Sequence, residues 1–165
     1  MNLVDILDEH ALEREAEFAL WDHDDGIDFG DLDLATRFVA AMFRDAGLRG
    51  GDQTTMGDVV LILQPVSITL YTVLLAVFRE RLTAMFVDPG AGRSAIEEAC
   101  RIIPPRAMVG NTKACLYRLV SPVLRRIPIA YTTGSIPGIG LMSKESSARF
   151  ATLQLGRASS PCSIR

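Results

Sequence analysis

Residues Gly90-Ala91-Gly92-Arg93-Ser94-Ala95 fit G-x-G-x-x-G/A, the spacing with which a strand–turn–helix unit offers backbone N–H groups to a dinucleotide's pyrophosphate. That chemistry needs two further things: a strand running straight into the first glycine, and an acidic residue about 20 positions on for the ribose. Here Asp88-Pro89 stands before the glycine, and residues 101–144 contain no Asp or Glu. An NADP-type site would have to use Lys113 or Arg118 instead. A Walker A loop is excluded: no glycine stands five residues before Gly92, and Arg93 occupies the place of the lysine. The preferred reading is a tight βα turn followed by a helix, with Ser94 and Glu97 spaced as a capping box.

Other residues with chemical potential are sparser still. Thr132-Thr133-Gly134-Ser135-Ile136-Pro137-Gly138 could wrap a phosphate with N–H groups, but Lys144 is six residues past Gly138. Asp22, Asp24, Asp25 and Asp28 suggest calcium until Ile27 is found where an EF-hand loop needs glycine. They read as a solvated hairpin turn centred on Asp25-Gly26. Two histidines, His10 and His23, cannot alone hold zinc. Cys100, Cys115 and Cys162 lack metal or CxxC spacing. Their odd number and the lack of a signal peptide predict a reducing compartment, the cytoplasm, with Cys100 and Cys115 as buried small hydrophobes. The residues thus nominate no catalytic group, no cofactor ligand and no metal ligand.

The elements that would position these residues follow from periodicity. With 48% hydrophobic and 22% charged residues in a chain of 165, one globular domain is expected. Leu3, Ile6, Leu7 and Ala11 have helical spacing, and "EFALWDHDDGIDFG" reads as a hairpin. The next helix carries Leu34, Phe38, Val39 and Met42 on one face and stops at Gly47. "DVVLILQP" is a strand buried on both faces, as in a parallel sheet. The apolar run 59–78 is broken by Gln64-Pro65, so it predicts a strand and a helix from Ser67, not a membrane span. "AMFVDPG", "AMVG" and "IPIAYTTGS" are further strands. Between them lie a helix burying Ile96, Cys100 and Ile103, and one burying Leu116, Leu119, Val120 and Val123 that Pro122 kinks or divides. A short helix or strand is possible near Phe150. The class is α/β, a parallel sheet with helices on both faces.

Charge is uneven. Residues 1–33 hold twelve acidic side chains against Arg14, and residues 101–165 hold ten basic ones against Glu145. The basic residues are scattered, without aromatic interleaving, so no nucleic-acid partner is predicted; a solvated face or a surface for another domain is.

Taken together, "ALWDHDDGIDFGDLD", "DVVLILQP", "FVDPGAGR", "PPRAMVGNTKA" and "LRRIPIAYTTGSIPG" resemble the N-terminal part of the adenylate-forming ligases, the AMP-binding acyl-CoA synthetases. The likeness is nearest to the fatty-acid branch, which includes the enzymes of olefin and β-lactone synthesis. It covers residues 1–140, as an N-terminal α/β subdomain, and leaves 141–165 as an irregular tail. It implies activation of a carboxylic acid, in this branch a fatty acid, as acyl-adenylate. ATP and magnesium would serve that step, with coenzyme A as the usual acceptor. The family's phosphate loop, of the type T-S-G-S-T-G-x-P-K-G, is absent, and the resemblance places it where "SSPCSIR" ends the sequence. No catalytic, cofactor-binding or metal residue of the family can therefore be carried onto this chain, which is expected to be incomplete and inactive alone. Two alternatives stand beside this reading: a non-catalytic interaction module, and an NADP-dependent oxidoreductase using residues 90–95.

Overall fold

The computed structural model describes residues 2–22, 25–87, 89–133 and 150–152. Local signals start most elements. Asn2 opens α1 (Leu3–Glu13) with a reciprocal capping box: its side chain accepts from the Val4 N–H, and its own N–H reaches Asp5. Strands β1 (Phe18–Asp22) and β2 (Asp25–Asp28) pair antiparallel, Asp22 opposite Asp25 and Trp21 opposite Gly26. Asp25 and Gly26 lie within β2, paired with Asp22 and Trp21, and are not the turn expected from composition. Gly26 has a packing role instead: a Cβ there would lie 2.7 Å from the Trp21 ring and 2.8 Å from that of Phe18.

Asp28 caps α2 (Phe29–Asp45), accepting from the Asp31 N–H at 2.7 Å, and Gly47 follows its end at φ +78°. The buried stripe of α2 is Leu32, Thr36, Val39, Ala40 and Phe43. Val39 lies inside as expected, but Leu34 and Phe38 point to solvent, because they fall outside this helical repeat. Strand β3 (Val59–Leu63) is buried at all five positions. Ser67 caps α3 (Ile68–Arg79), which leads to β4 (Thr83–Phe86). A single 3₁₀ turn, Pro89–Ala91, precedes α4 (Arg93–Ile102). Gly92 is the N-cap and the helix begins at Arg93, so Ser94 is already inside it and the expected Ser94–Glu97 capping box does not form. Then come β5 (Ala107–Gly110), α5 (Thr112–Val120) capped by Asn111, α6 (Pro122–Arg125), β6 (Ile129–Thr132) and β7 (Phe150–Thr152). Pro122 divides the last helical stretch by taking the first position of α6, where its missing N–H has no helical partner to lose.

The parallel sheet has the order β4-β3-β5-β6-β7. Alternation along the strands gives it two faces. Val60, Ile62, Ala107, Val109 and Tyr131 meet α2 and α3, whereas Leu61, Leu63 and Met108 meet α4, α5 and α6. The chain moves outward from β3 to β4 over one face and returns from β4 to β5 over the other. Crossovers of one hand require that change of face. β3 and β5 therefore flank the point where the strand order reverses. The apolar run 59–78 is β3 plus most of α3, and no helix among the described residues is long and apolar enough to cross a membrane.

The face of α5 also differs from expectation. Cys115 and Arg118 point inward, while Leu116, Leu119 and Val120 are 48%, 53% and 64% exposed. Polar contacts set this rotation: Arg118 Nη2 donates to the Ile127 carbonyl at 2.8 Å, and Tyr117 Oη donates to Glu97 at 2.9 Å. On α4, Ile96 and Cys100 are buried as expected, but Ile103 lies past the helix end and is exposed.

Candidate functional site

Parallel strands deliver their following loops to one edge, so the carboxyl ends of β3, β4, β5 and β6 collect several of the nominated residues. In open α/β sheets, ligands enter at this edge, next to the strand-order reversal. Here that position is occupied by the chain's own contacts. Gln64 is buried, and its Oε1 accepts from Thr133 Oγ1 at 2.9 Å. The Thr133 N–H donates to the Gly110 carbonyl at 3.0 Å, and Asn111 N–H to that of Leu63 at 3.4 Å. Gly110 permits the close approach of α5, since a Cβ there would lie 2.7 Å from the Ala114 Cβ.

The glycine turn 90–92 lies at the same edge, after β4. Gly92 has φ +85° and ψ 166°, a region essentially reserved for glycine, and this bend lets the chain leave the 3₁₀ turn and enter α4. Two strands separate β4 from β6, so the glycine turn and Thr132-Thr133 are about 14 Å apart at ~4.8 Å per strand. They do not form one phosphate cradle. The two cations considered for an NADP phosphate also part company. Lys113 is exposed in the first turn of α5. Arg118 is 7% exposed and bonded to the carbonyl of Ile127, before β6 begins, which is the opposite end of the sheet. The glycine turn and Arg118 are thus at opposite ends of the strands.

The remaining candidates have structural employment. Asp28 is the α2 cap, and Asp22 faces Asp25 across the hairpin. No group of three or more His, Cys, Asp or Glu among the described residues could hold a metal ion. His10 packs its ring 5.0 Å from that of Phe29. Cys100 and Cys115 are buried, and burial pushes both thiols up, away from the reactive thiolate. His23, Asp24, Asp88, Gly134–Gly138, Lys144 and Cys162 lie outside the described residues.

Two polar assemblies were not legible in the sequence. Arg79 bridges Asp8 and Asp33 at 2.7 and 2.6 Å, and Arg37 also reaches both. Hydrogen bonding from Arg79 holds the Asp8 carboxyl below its usual range. Glu97 accepts from Tyr117 Oη at 2.9 Å and Ser121 Oγ at 2.6 Å, joining α4 to α5 and to the α6 cap. The Ser121 and Tyr117 hydroxyls lower its pKa in turn. Both assemblies clamp helices together. Beside the first, α1 and α2 enclose an open groove of about 550 Å³, with Asp8, Leu12, Glu15, Asp31, Leu34 and Arg37 among its lining.

No protein-family model matches this chain, and no curated protein matches it. Solved structures do. The coronafacic acid ligase of Pectobacterium brasiliense superposes with a TM-score of 0.73 at 16% identity, over 91% of this chain and 28% of that one. The anthranilate CoA ligase AuaEII, solved with anthranoyl-AMP, gives 0.71 at 18% identity over 81% of this chain and 25% of the ligase. The N-terminal subdomain of Klebsiella oxytoca NpsA gives 0.59 at 22% identity over 67% and 28%. The fold is that of the N-terminal domains of adenylate-forming ligases. This chain spans between a quarter and a third of each of these neighbours.

Proposed function

We propose that this chain is the N-terminal scaffold part of an ATP-dependent ligase that activates a carboxylic acid as acyl-adenylate. The observation that carries the reading is the superposition over 91% of this chain on 28% of a ligase. On the sequence side, the resemblance of "FVDPGAGR", "PPRAMVGNTKA" and "LRRIPIAYTTGSIPG" to the fatty-acid branch favours a fatty acid as the substrate, and that family's chemistry implies magnesium as the metal and coenzyme A as the acyl acceptor. Adenylate formation needs charge stabilisation at the attacked phosphorus and a cradle for the leaving pyrophosphate. The described residues offer buried amides and hydroxyls at the carboxyl edge but no lysine, metal ligands or general base converging there. We therefore assign this chain positioning and packing, residues 1–140 forming the subdomain, and no adenylation on its own.

Two measurements test this. Purified chain given ATP, magnesium, labelled pyrophosphate and a series of fatty and aromatic acids should show no acid-dependent exchange; exchange by this chain alone would overturn its assignment as scaffold only. Sequencing the coding DNA beyond the Arg165 codon in all three frames should reveal a T-S-G-S-T-G-type loop, and unrelated sequence in every frame would remove the ligase reading.

The outward-facing Leu116, Leu119 and Val120 favour a second reading, an interaction module without catalysis.

A further inference from the structure

Two helical surfaces of this chain expose apolar side chains, and their charges are opposite. On α5, Leu116, Leu119 and Val120 form an i, i+3, i+4 stripe facing solvent. Lys113 stands one turn before the stripe, and Arg125 and Arg126 close α6 just after it. All three cations are exposed, and none makes an ion pair among the described residues. No carboxylate occurs from residue 101 to 144 to neutralise them.

The second surface is the groove of about 550 Å³ between α1 and α2. Leu12 and Leu34 on its walls are 87% and 67% exposed. Asp8 and Asp33 there are satisfied by Arg37 and Arg79. Glu15 and Asp31 also line it and make no ion pair among the described residues. Leucines and alanines on the walls, set among unpaired carboxylates, fit a helix that presents apolar anchors and flanking cations, and i, i+3, i+4 anchors are how a helix fills a groove. The α5 stripe has that composition. It cannot reach the groove of its own copy, because α5 and α2 pack on opposite faces of the sheet.

We propose that the α5 stripe of one copy seats in the α1–α2 groove of a second copy, Lys113 and the α6 arginines facing Glu15 and Asp31. The contact joins two different surfaces, so it is heterologous. Each bound copy still offers a free groove or a free stripe, and the association continues head to tail or closes as a ring. The inference stands apart from the ligase reading and does not depend on adenylation.

The test is sedimentation velocity of the full chain from about 1 to 200 μM, a range suited to a contact smaller than a standard interface. Weight-average mass should rise with concentration, and raising salt from about 50 to 500 mM should weaken association about tenfold. Leu119→Asp and Leu34→Asp, both at exposed positions, should each be monomeric with unchanged circular dichroism. Mixed in equal amounts they should form a dimer and stop there, since the first retains its groove and the second its stripe. Glu15→Lys and Lys113→Glu test the charges without touching the apolar anchors. Each alone should associate at least about threefold more weakly, and the mixture should recover. A wild-type monomer across the range overturns the proposal, as does a mixture that stays monomeric. Self-association of Leu34→Asp as strong as wild type would mean stripe-to-stripe pairing and also overturns it. A salt-insensitive association that both charge variants retain is apolar aggregation and overturns it too.

Discussion

The two helical layers on the sheet combine packing and polar ties in different proportions: Arg79–Asp33 links α3 to α2, but over a larger apolar core. The α2–α3 layer meets β3 and β5 through Val39, Phe43, Val73, Ala76 and Val77, all essentially without solvent contact. The α4–α6 layer buries fewer large side chains, chiefly Ile96, Leu124 and Ile127, and adds polar ties. Glu97 draws in Tyr117 and Ser121, and Arg118 reaches the Ile127 carbonyl. These ties fix the rotation of α5 and turn its leucines outward. Both layers leave some apolar surface outside, Leu34 and Phe38 on α2 and the leucines on α5, but the α2–α3 layer seals the sheet with the larger packed core and the α4–α6 layer leans more on hydrogen bonds.

Substitutions can break this contrast. The largest loss is expected from Phe43→Ala in the packed layer. Phe43 is 1% exposed, and truncation should cost about 3–5 kcal/mol in urea denaturation. Arg118→Met in the tied layer should cost less, about 1–3 kcal/mol, by leaving the Ile127 carbonyl without its donor. If it cost as much as Phe43→Ala, the ties would rank with the packed core. Gly92→Ala should also cost about 1–3 kcal/mol. Nothing lies within 4 Å of a Cβ there, so the loss would be backbone strain alone.

The smallest effect is a pH dependence. Hydrogen bonds from Ser121 and Tyr117 depress the Glu97 pKa in the folded chain below the ordinary glutamate value of 4.5. The stabilisation is thus present above that value and is lost as pH falls through the lower folded pKa. Glu97→Gln should flatten the acid limb of stability against pH by lowering stability at neutral pH toward the acid value, with little change at low pH. An unchanged acid limb would remove Glu97 from the tie.

Strands and caps were the legible parts of this chain. Val59–Leu63 is an unbroken apolar run ended by Gln64-Pro65, and it forms an interior strand buried at every position. Asn111 and Ser67 cap the helices that their sequence positions mark. Faces were less legible, because hydrophobicity gives a stripe without saying what lies opposite. Leu116, Leu119 and Val120 have helical spacing, but the inner side of α5 is decided by Arg118 and Tyr117, through partners 9 and 20 residues away. Ser94-x-x-Glu97 has the letters of a capping box, yet the Gly92 bend starts the helix earlier and frees Glu97 for its partners on α5 and α6. At the carboxyl edge the sequence supplies the right loops, while the Gln64–Thr133 bond that fills the reversal point joins residues 69 apart.

The two buried thiols make the tied layer its own stopwatch. Cys100 and Cys115 both belong to the core beneath α4–α6, and the α2–α3 core contains no cysteine. A thiol-specific reagent must wait for that layer to lift. In a Cys162→Ser background, alkylation rates at Cys100 and Cys115 would therefore measure how often α4 and α5 detach, set against amide exchange in β3 for opening of the whole domain. Labelling faster than that exchange would identify the α4–α6 layer as a separate cooperative unit, the part of the molecule that unfastens first.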